Sequence, residues 1–135
     1  MKTIILVAFL IVLSSAELNE YGVGQSCDSN SPFAVTNFVV DPYPPTAGVQ
    51  MNINMYGSFS KDVYISDISV RTRLNGSSWS TKYIDVGQTF KYAQVYTFAF
   101  PMTAGSTSGL YETQVRLESK EGSAVSCWDF SYHIA

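Results

Sequence analysis

Three prolines, Pro42, Pro44 and Pro45, stand between two runs in which apolar side chains recur. Each fixes φ and removes a backbone donor, so no ladder of strand hydrogen bonds can pass through this point. The residues ahead of them are pushed to extended geometry, which makes Asp41–Pro45 a stiff exit from one strand, and Gly48 permits the turn into the next. From Val49 to Tyr56 the alternation is regular, with Val49, Met51, Ile53 and Met55 on one face and Gln50, Asn52 and Asn54 on the other. This predicts a half-buried antiparallel strand. Methionine is an adaptable filler, suited both to an ordinary core and to a surface that holds a flexible ligand.

The same theme recurs along the chain. Phe33–Val40 precedes the corner as a first strand. Asp62–Leu74 is a third, with Val63 and Ile65 in one phase and Ile68, Val70, Thr72 and Leu74 in the other. A β-bulge near Ser66–Asp67 would account for that slip. Trp79–Ile84 reads as a short fourth strand, followed by a turn at Asp85–Gln88 around Gly87. Thr89–Phe100 places Phe90, Tyr92, Tyr96, Phe98 and Phe100 on one face, and Thr103–Gly109 is a loop of small residues. Leu110–Ser119 turns Tyr111, Thr113, Val115 and Leu117 inward, and Ala124–Ile134 does the same with Trp128, Phe130, Tyr132 and Ile134. Beyond residue 16 no long stretch keeps a helical period. The expected fold is all-β: seven short strands forming a two-sheet, Ig-like sandwich over 33–135, with 17–32 as an irregular polar lead-in.

Residues 1–16 read as a secretory signal: Lys2, an apolar run over Ile4–Leu13, and Ser14-Ser15-Ala16 as a small-residue cleavage site. Removing 16 of 135 residues leaves 119, with seven Lys/Arg against eleven Asp/Glu. The mature chain is expected to be soluble and monomeric, and an acidic chain without a basic run is no candidate for nucleic acid. In a secreted chain an even pair of cysteines, here Cys27 and Cys127, defaults to a disulfide. With His133 the only histidine, no metal site is expected. Asn75-Gly76-Ser77 is an N-glycosylation sequon at Asn75.

Catalysis finds little support. Gly105-Ser106-Thr107-Ser108-Gly109 has glycines spaced as in a nucleophile elbow, but its centre is Thr107 and no helix follows. No phosphate loop is present, so the expectation is a non-enzyme without a cofactor. Removing Phe9 with the signal leaves 18 of the 19 aromatic residues. Packed rings would make a stiff core. Sheets splayed around them would instead line a cavity for an apolar ligand, and composition leaves both open. Lys61, Arg71, Arg73, Lys82 and Lys91 crowd one stretch, with only Asp62, Asp67 and Asp85 among them. This is either a solvated face or a patch that meets anionic lipid head groups.

Four landmarks together resemble the ML lipid-recognition family, which includes the soluble Niemann-Pick type C sterol carrier and the phosphatidylglycerol/phosphatidylinositol transfer proteins. They are the early Cys27, the run Val40-Asp41-Pro42-Tyr43-Pro44-Pro45 followed by Gly48, then Gly57, and finally Val125-Ser126-Cys127-Trp128-Asp129-Phe130. The resemblance implies a seven-stranded sandwich with a lipid cavity between its sheets and a bridge joining Cys27 to Cys127. The chain lacks the internal cysteine pairs usual in the sterol carriers, and so looks more similar to the phospholipid-transfer members. On this reading the cavity lining is Met51, Ile53, Met55, Phe90, Tyr96, Phe98, Phe100, Tyr111, Val115, Trp128 and Phe130. Lys61, Arg71, Arg73 and Lys91 are then head-group or membrane contacts. The implied function is transfer of phospholipid between membranes by a secreted or endolysosomal carrier. Alternatives are a sterol carrier, or an Ig-like recognition module with a solid core.

Overall fold

The computed structural model describes residues 18–19 and 22–135. The expected signal segment lies outside them. Among the described residues the regular structure is all β, in chain order β1 (Leu18–Asn19), β2 (Gly22–Val23), β3 (Gln25–Ser26), β4 (Phe33–Asp41), β5 (Gln50–Phe59), β6 (Val63–Leu74), β7 (Ser80–Phe90), β8 (Val95–Thr103), β9 (Gly109–Glu118) and β10 (Ala124–Ile134). Two sheets pack face to face as a sandwich, ordered β1-β2-β4-β5-β8 and β3-β10-β9-β6-β7. Every pairing is antiparallel except β2 with β4.

The seven long strands follow the sequence pattern because each carries one apolar face that only the opposite sheet can cover. Met51, Ile53 and Met55 of β5 are fully buried, as are Val115 and Leu117 of β9, while their polar neighbours face outward. The proline corner joins β4 to β5, and Gly48 takes the left-handed φ of +70° that closes the turn. Gly57 has a different role: a Cβ there would run into the Phe33 ring and the Ala34 carbonyl, so β4 and β5 need it bare to approach. The lead-in is not wholly irregular, since β1, β2 and β3 lie within it and the chain crosses from one sheet to the other at Gly24.

Two differences from the sequence reading arise around β7. The strand does not turn at Asp85–Gln88 but runs on to Phe90, and the slip expected near Ser66 is absorbed there. Gln88 pairs with Ile65 and Asp85 with Asp67, so Val86 and Gly87 together face Ser66 alone, with Gly87 at φ +58°. The extra residue therefore sits on β7, and both Ile65 and Ile68 are buried. The reversal comes six residues later than expected, at Lys91–Gln94. Asp62 Oδ1 accepts from the Tyr92 amide at 2.8 Å, Gln94 Oε1 accepts from the Lys91 amide at 3.0 Å, and the Ala93 amide donates to the Phe59 carbonyl at 2.7 Å. Tyr92 is consequently 72% exposed rather than part of the aromatic face. Phe90 belongs to one sheet and Tyr96, Phe98 and Phe100 to the other. They still meet, across the core: Phe90 lies 4.8 Å from Tyr96, 5.4 Å from Phe98 and 4.6 Å from Phe59 between ring centroids.

Candidate functional site

One flank of the sandwich is stitched shut. The chain passes between sheets at Gly24, and Trp128 Nε1 donates to the Val23 carbonyl at 2.7 Å. Ser126 Oγ donates to the Phe33 carbonyl at 3.1 Å, again from one sheet to the other and fully buried. Cys27 and Cys127 form a disulfide with Cα atoms 5.1 Å apart, which ties the lead-in to β10. Asp129 lies near these sulfurs, but with the two bonded to each other they offer no thiolate to a metal.

The other flank is formed by β7 and β8, each the edge of its own sheet and not paired with the other. At the Phe90 end, rings of Phe33, Phe59, Phe90 and Phe98 fill the gap between them. Each buried phenylalanine contributes about 1.5–3 kcal/mol, so this is the firm end. At the Ser80 and Thr103 end no such plug exists, and a cleft of about 400 Å³ opens between the sheets. Val70 and Thr72 of β6 and Ile84 of β7 form one wall, and Pro101 and Met102 of β8 the other. Gln50, Ser80, Tyr83 and Thr103 make a polar rim. Lys82 is the one cation lining it; it pairs with Val70 across the strands and so lies on the inward face of an edge strand.

The floor is a stacked pair, Tyr111 on β9 and Tyr132 on β10, with centroids 5.1 Å apart and planes at 10°. Their hydroxyls hold the small-residue loop after β8. Tyr111 donates to the Thr107 carbonyl at 2.8 Å and accepts from the Thr107 amide at 3.0 Å, and Tyr132 accepts from the Gly105 amide at 3.1 Å. Burial pushes the Tyr132 hydroxyl above its ordinary pKa; the Gly105 amide opposes the shift and nearby Tyr111 adds to it. Gly105 is required by this contact, because a Cβ there would overlap the Tyr111 ring. Thr113, on the inward face of β9 opposite Thr72, keeps a buried hydroxyl without a partner.

Of the eleven residues expected to line a cavity, Tyr111 borders this cleft. Met51, Ile53, Met55, Phe98 and Phe100 lie in the buried core beneath it, with Phe90 and half-buried Tyr96 in the ring cluster, Val115 behind, and Phe38 against both Trp128 and Phe130. The cleft also uses Val70, Ile84, Met102 and Tyr132. Their strand phase carried the signal: Met102 continues the face of Phe98 and Phe100 past Pro101, and Tyr132 continues that of Trp128 and Phe130.

The four expected contact cations separate. Lys91 pairs loosely with Asp62 at 3.9 Å near the ring-filled end, and Lys61 is exposed beside Asp62. Arg71 and Arg73 share the outer face of their sheet, away from the cleft: Arg73 Nε meets Glu112 Oε1 at 2.8 Å, Arg71 donates to Gln114 Oε1 at 2.9 Å, and both guanidinium groups lie over Trp79. Asn75, in the turn after β6, accepts from the Leu110 amide through Oδ1 at 2.9 Å and is exposed.

The fold and cleft define a two-sheet β-sandwich with one stitched flank and one open one. Solved structures share the fold. The C-terminal domain of wzt aligns with a TM-score of 0.66 at 11% identity, over 83% of this chain and 75% of its own. A Niemann-Pick type C2 protein from the Japanese carpenter ant gives 0.61 at 10% identity, over 84% of this chain and 99% of that one. Chicken MD-1, crystallised with lipid IVa, gives 0.54 at 19% identity, over 79% and 84%. Neither a protein-family model nor a curated protein sequence matches the chain.

Proposed function

We propose that this chain binds an amphipathic lipid in the cleft between β7 and β8 and carries it between membranes without covalent chemistry, as a secreted phospholipid carrier. The observation that carries the reading is the cleft: apolar walls between two unpaired sheet edges, opening at a polar rim. Burying an acyl chain there is favourable by about 0.8 kcal/mol per methylene. Lys82, inward-facing at the mouth, is placed for an anionic head group and supports phospholipid as the cargo. The crystal of chicken MD-1 with lipid IVa supports a lipid as the ligand of a sandwich of this shape.

Size favours a second reading. A cleft of about 400 Å³ is near the lower end of the range of about 300–1,000 Å³ for small-molecule sites. As it stands it suits one chain or a sterol-sized body. A second chain requires the sheets to part over Met51, Met55 and Phe98, and the two methionines are the most yielding side chains of that layer.

Native mass spectrometry of the purified protein, with extraction of whatever co-purifies, tests the reading. A stoichiometric phospholipid is the expected result, and a sterol would select the second reading. Met102→Trp, which fills the cleft from the edge strand, should abolish uptake from fluorescent vesicles while leaving the melting temperature nearly unchanged. Uptake that survives this substitution would place the ligand elsewhere.

A further inference from the structure

The outer face of the β3-β10-β9-β6-β7 sheet carries a second cleft of about 500 Å³. It shares no lining residue with the cleft between the sheets. Its base is built by register. Gln114, Asp129 and Gln25 stand side by side on β9, β10 and β3 in a row that Arg71 of β6 continues beyond the lining, and Arg73, Glu112 and Ser131 form the next row. Trp79 lies at one end with the Arg73 guanidinium 4.3 Å and the Arg71 guanidinium 4.9 Å from its ring centroid. At the other end Tyr43, swung over by the proline corner, donates to the Ser131 carbonyl at 2.6 Å.

Charge complementarity selects the ligand. Arg71 and Arg73 balance Glu112 and Asp129 within the face, and Arg73 is already matched by Glu112 at 2.8 Å. A simple anion would be opposed by the two carboxylates and a cation by the two arginines. An apolar surface would strip water from ion-paired and amide groups without replacing it. What fits is a ligand without net charge that donates and accepts many hydrogen bonds and also presents an apolar patch to Trp79. We infer that this face is a binding site for a neutral oligosaccharide, its hydroxyls exchanging hydrogen bonds with the Gln25–Asp129–Gln114–Arg71 row and a sugar face resting on Trp79. The row crosses four strands, a length of roughly 14 Å at the usual strand spacing, which calls for several sugar units rather than one. Ion pairs and cation–π contacts hold the side chains in place beforehand, which lowers the ordering cost of binding.

Trp79 and Trp128 are the two tryptophans of the chain, and Trp128 is 3% exposed, so a ligand on this face reports through Trp79 fluorescence. The full secreted protein is titrated with maltohexaose, cellohexaose, laminarihexaose, mannohexaose and chitohexaose, with heparin hexasaccharide as the charged comparison. Saturable binding of at least one neutral hexasaccharide is expected. Trp79→Ala and Asp129→Asn should each weaken it by about tenfold or more, read by calorimetry. Both variants should take up lipid like the parent, so failure here is distinct from failure of the carrier reading. Silence across all five neutral sugars, binding confined to heparin hexasaccharide, or binding indifferent to both substitutions overturns the assignment. Asp129→Asn keeps the side chain's shape and guards against a Trp79→Ala chain that simply misfolds.

Discussion

Replacing Gly105 by alanine tests the floor of the inter-sheet cleft. Gly105 does not hold a left-handed φ, so the backbone itself has no need of glycine there. At such a position the substitution ordinarily stabilises a protein, by about 0.4–1 kcal/mol, through the unfolded chain. The opposite sign is expected here. The new Cβ would overlap the Tyr111 ring, and that ring cannot retreat because Tyr132 stacks against it at 5.1 Å. Either the loop lifts or the ring turns. Lifting the loop breaks the Gly105 bond to Tyr132, and turning the ring breaks both bonds between Tyr111 and Thr107 together with the stack. Each hydrogen bond is worth about 0.5–1.5 kcal/mol net, and the ring pair about 0.5–1.5 kcal/mol. Breaking part of this set gives a loss of about 2–3 kcal/mol.

Urea denaturation of a double-mutant cycle isolates the contact. Once Tyr111→Ala has emptied the space, Gly105→Ala should cost nothing or stabilise slightly. The coupling between the two sites should then be about 2 kcal/mol or more, well outside the few tenths seen for independent sites. Additive effects would show that the tyrosine pair does not rest on the loop, and the described floor of the cleft would be wrong.

The Cys27–Cys127 bridge closes a separation of 100 residues, so the double Cys→Ser variant should lose up to about 4.7 kcal/mol by denaturant melting. A loss below about 1 kcal/mol would mean that the lead-in adds no constraint. Tyr132 has a raised pKa in the folded chain, so its contribution to stability is full below its ordinary value of 10.0 and falls as pH rises through the folded value. Tyr132→Phe should flatten the stability–pH curve on the alkaline side, and an unchanged alkaline limb would count against burial of this hydroxyl. Lys82→Glu should shift vesicle uptake away from anionic phospholipid while leaving neutral lipid uptake in place; equal loss for both would remove Lys82 from the head-group role.

The sandwich was legible because strand alternation is a local property: Val49–Tyr56 and Leu110–Ser119 show their buried faces without reference to any partner. The cleft was less so. Whether Phe90 and Phe98 line a space or fill one depends on how far apart the two sheets stand, and no single strand encodes that distance. The Lys91–Gln94 reversal was hidden for a related reason. It is specified by side-chain oxygens of Asp62 and Gln94 acting on backbone amides, while the flanking aromatic alternation runs through it without a break. The strand expected over Thr89–Phe100 stops short of Pro101, yet β8 continues to Thr103 because an edge strand with a free side has no ladder for proline to interrupt there.

Strand alternation also explains how one sheet borders two clefts. On β6, Val70 and Thr72 border the inner cleft while Arg71 and Arg73 form the outer rows. On β9, Tyr111 is floor and Glu112 is outer face; on β10, Tyr132 is floor and Ser131 is outer face. The two clefts are thus separated by one sheet's thickness and written into the same three strands at alternate positions. A one-residue slip would exchange them and bury Arg71 and Arg73. Register is therefore held more strongly here than apolar burial alone requires. The Arg73–Glu112 and Arg71–Gln114 links lie on one face and the Tyr111–Tyr132 stack on the other, so each face fixes the alignment the other needs. In the proposed carrier, opening would fall to the edges β7 and β8, leaving the β6-β9-β10 centre and its outer rows in place.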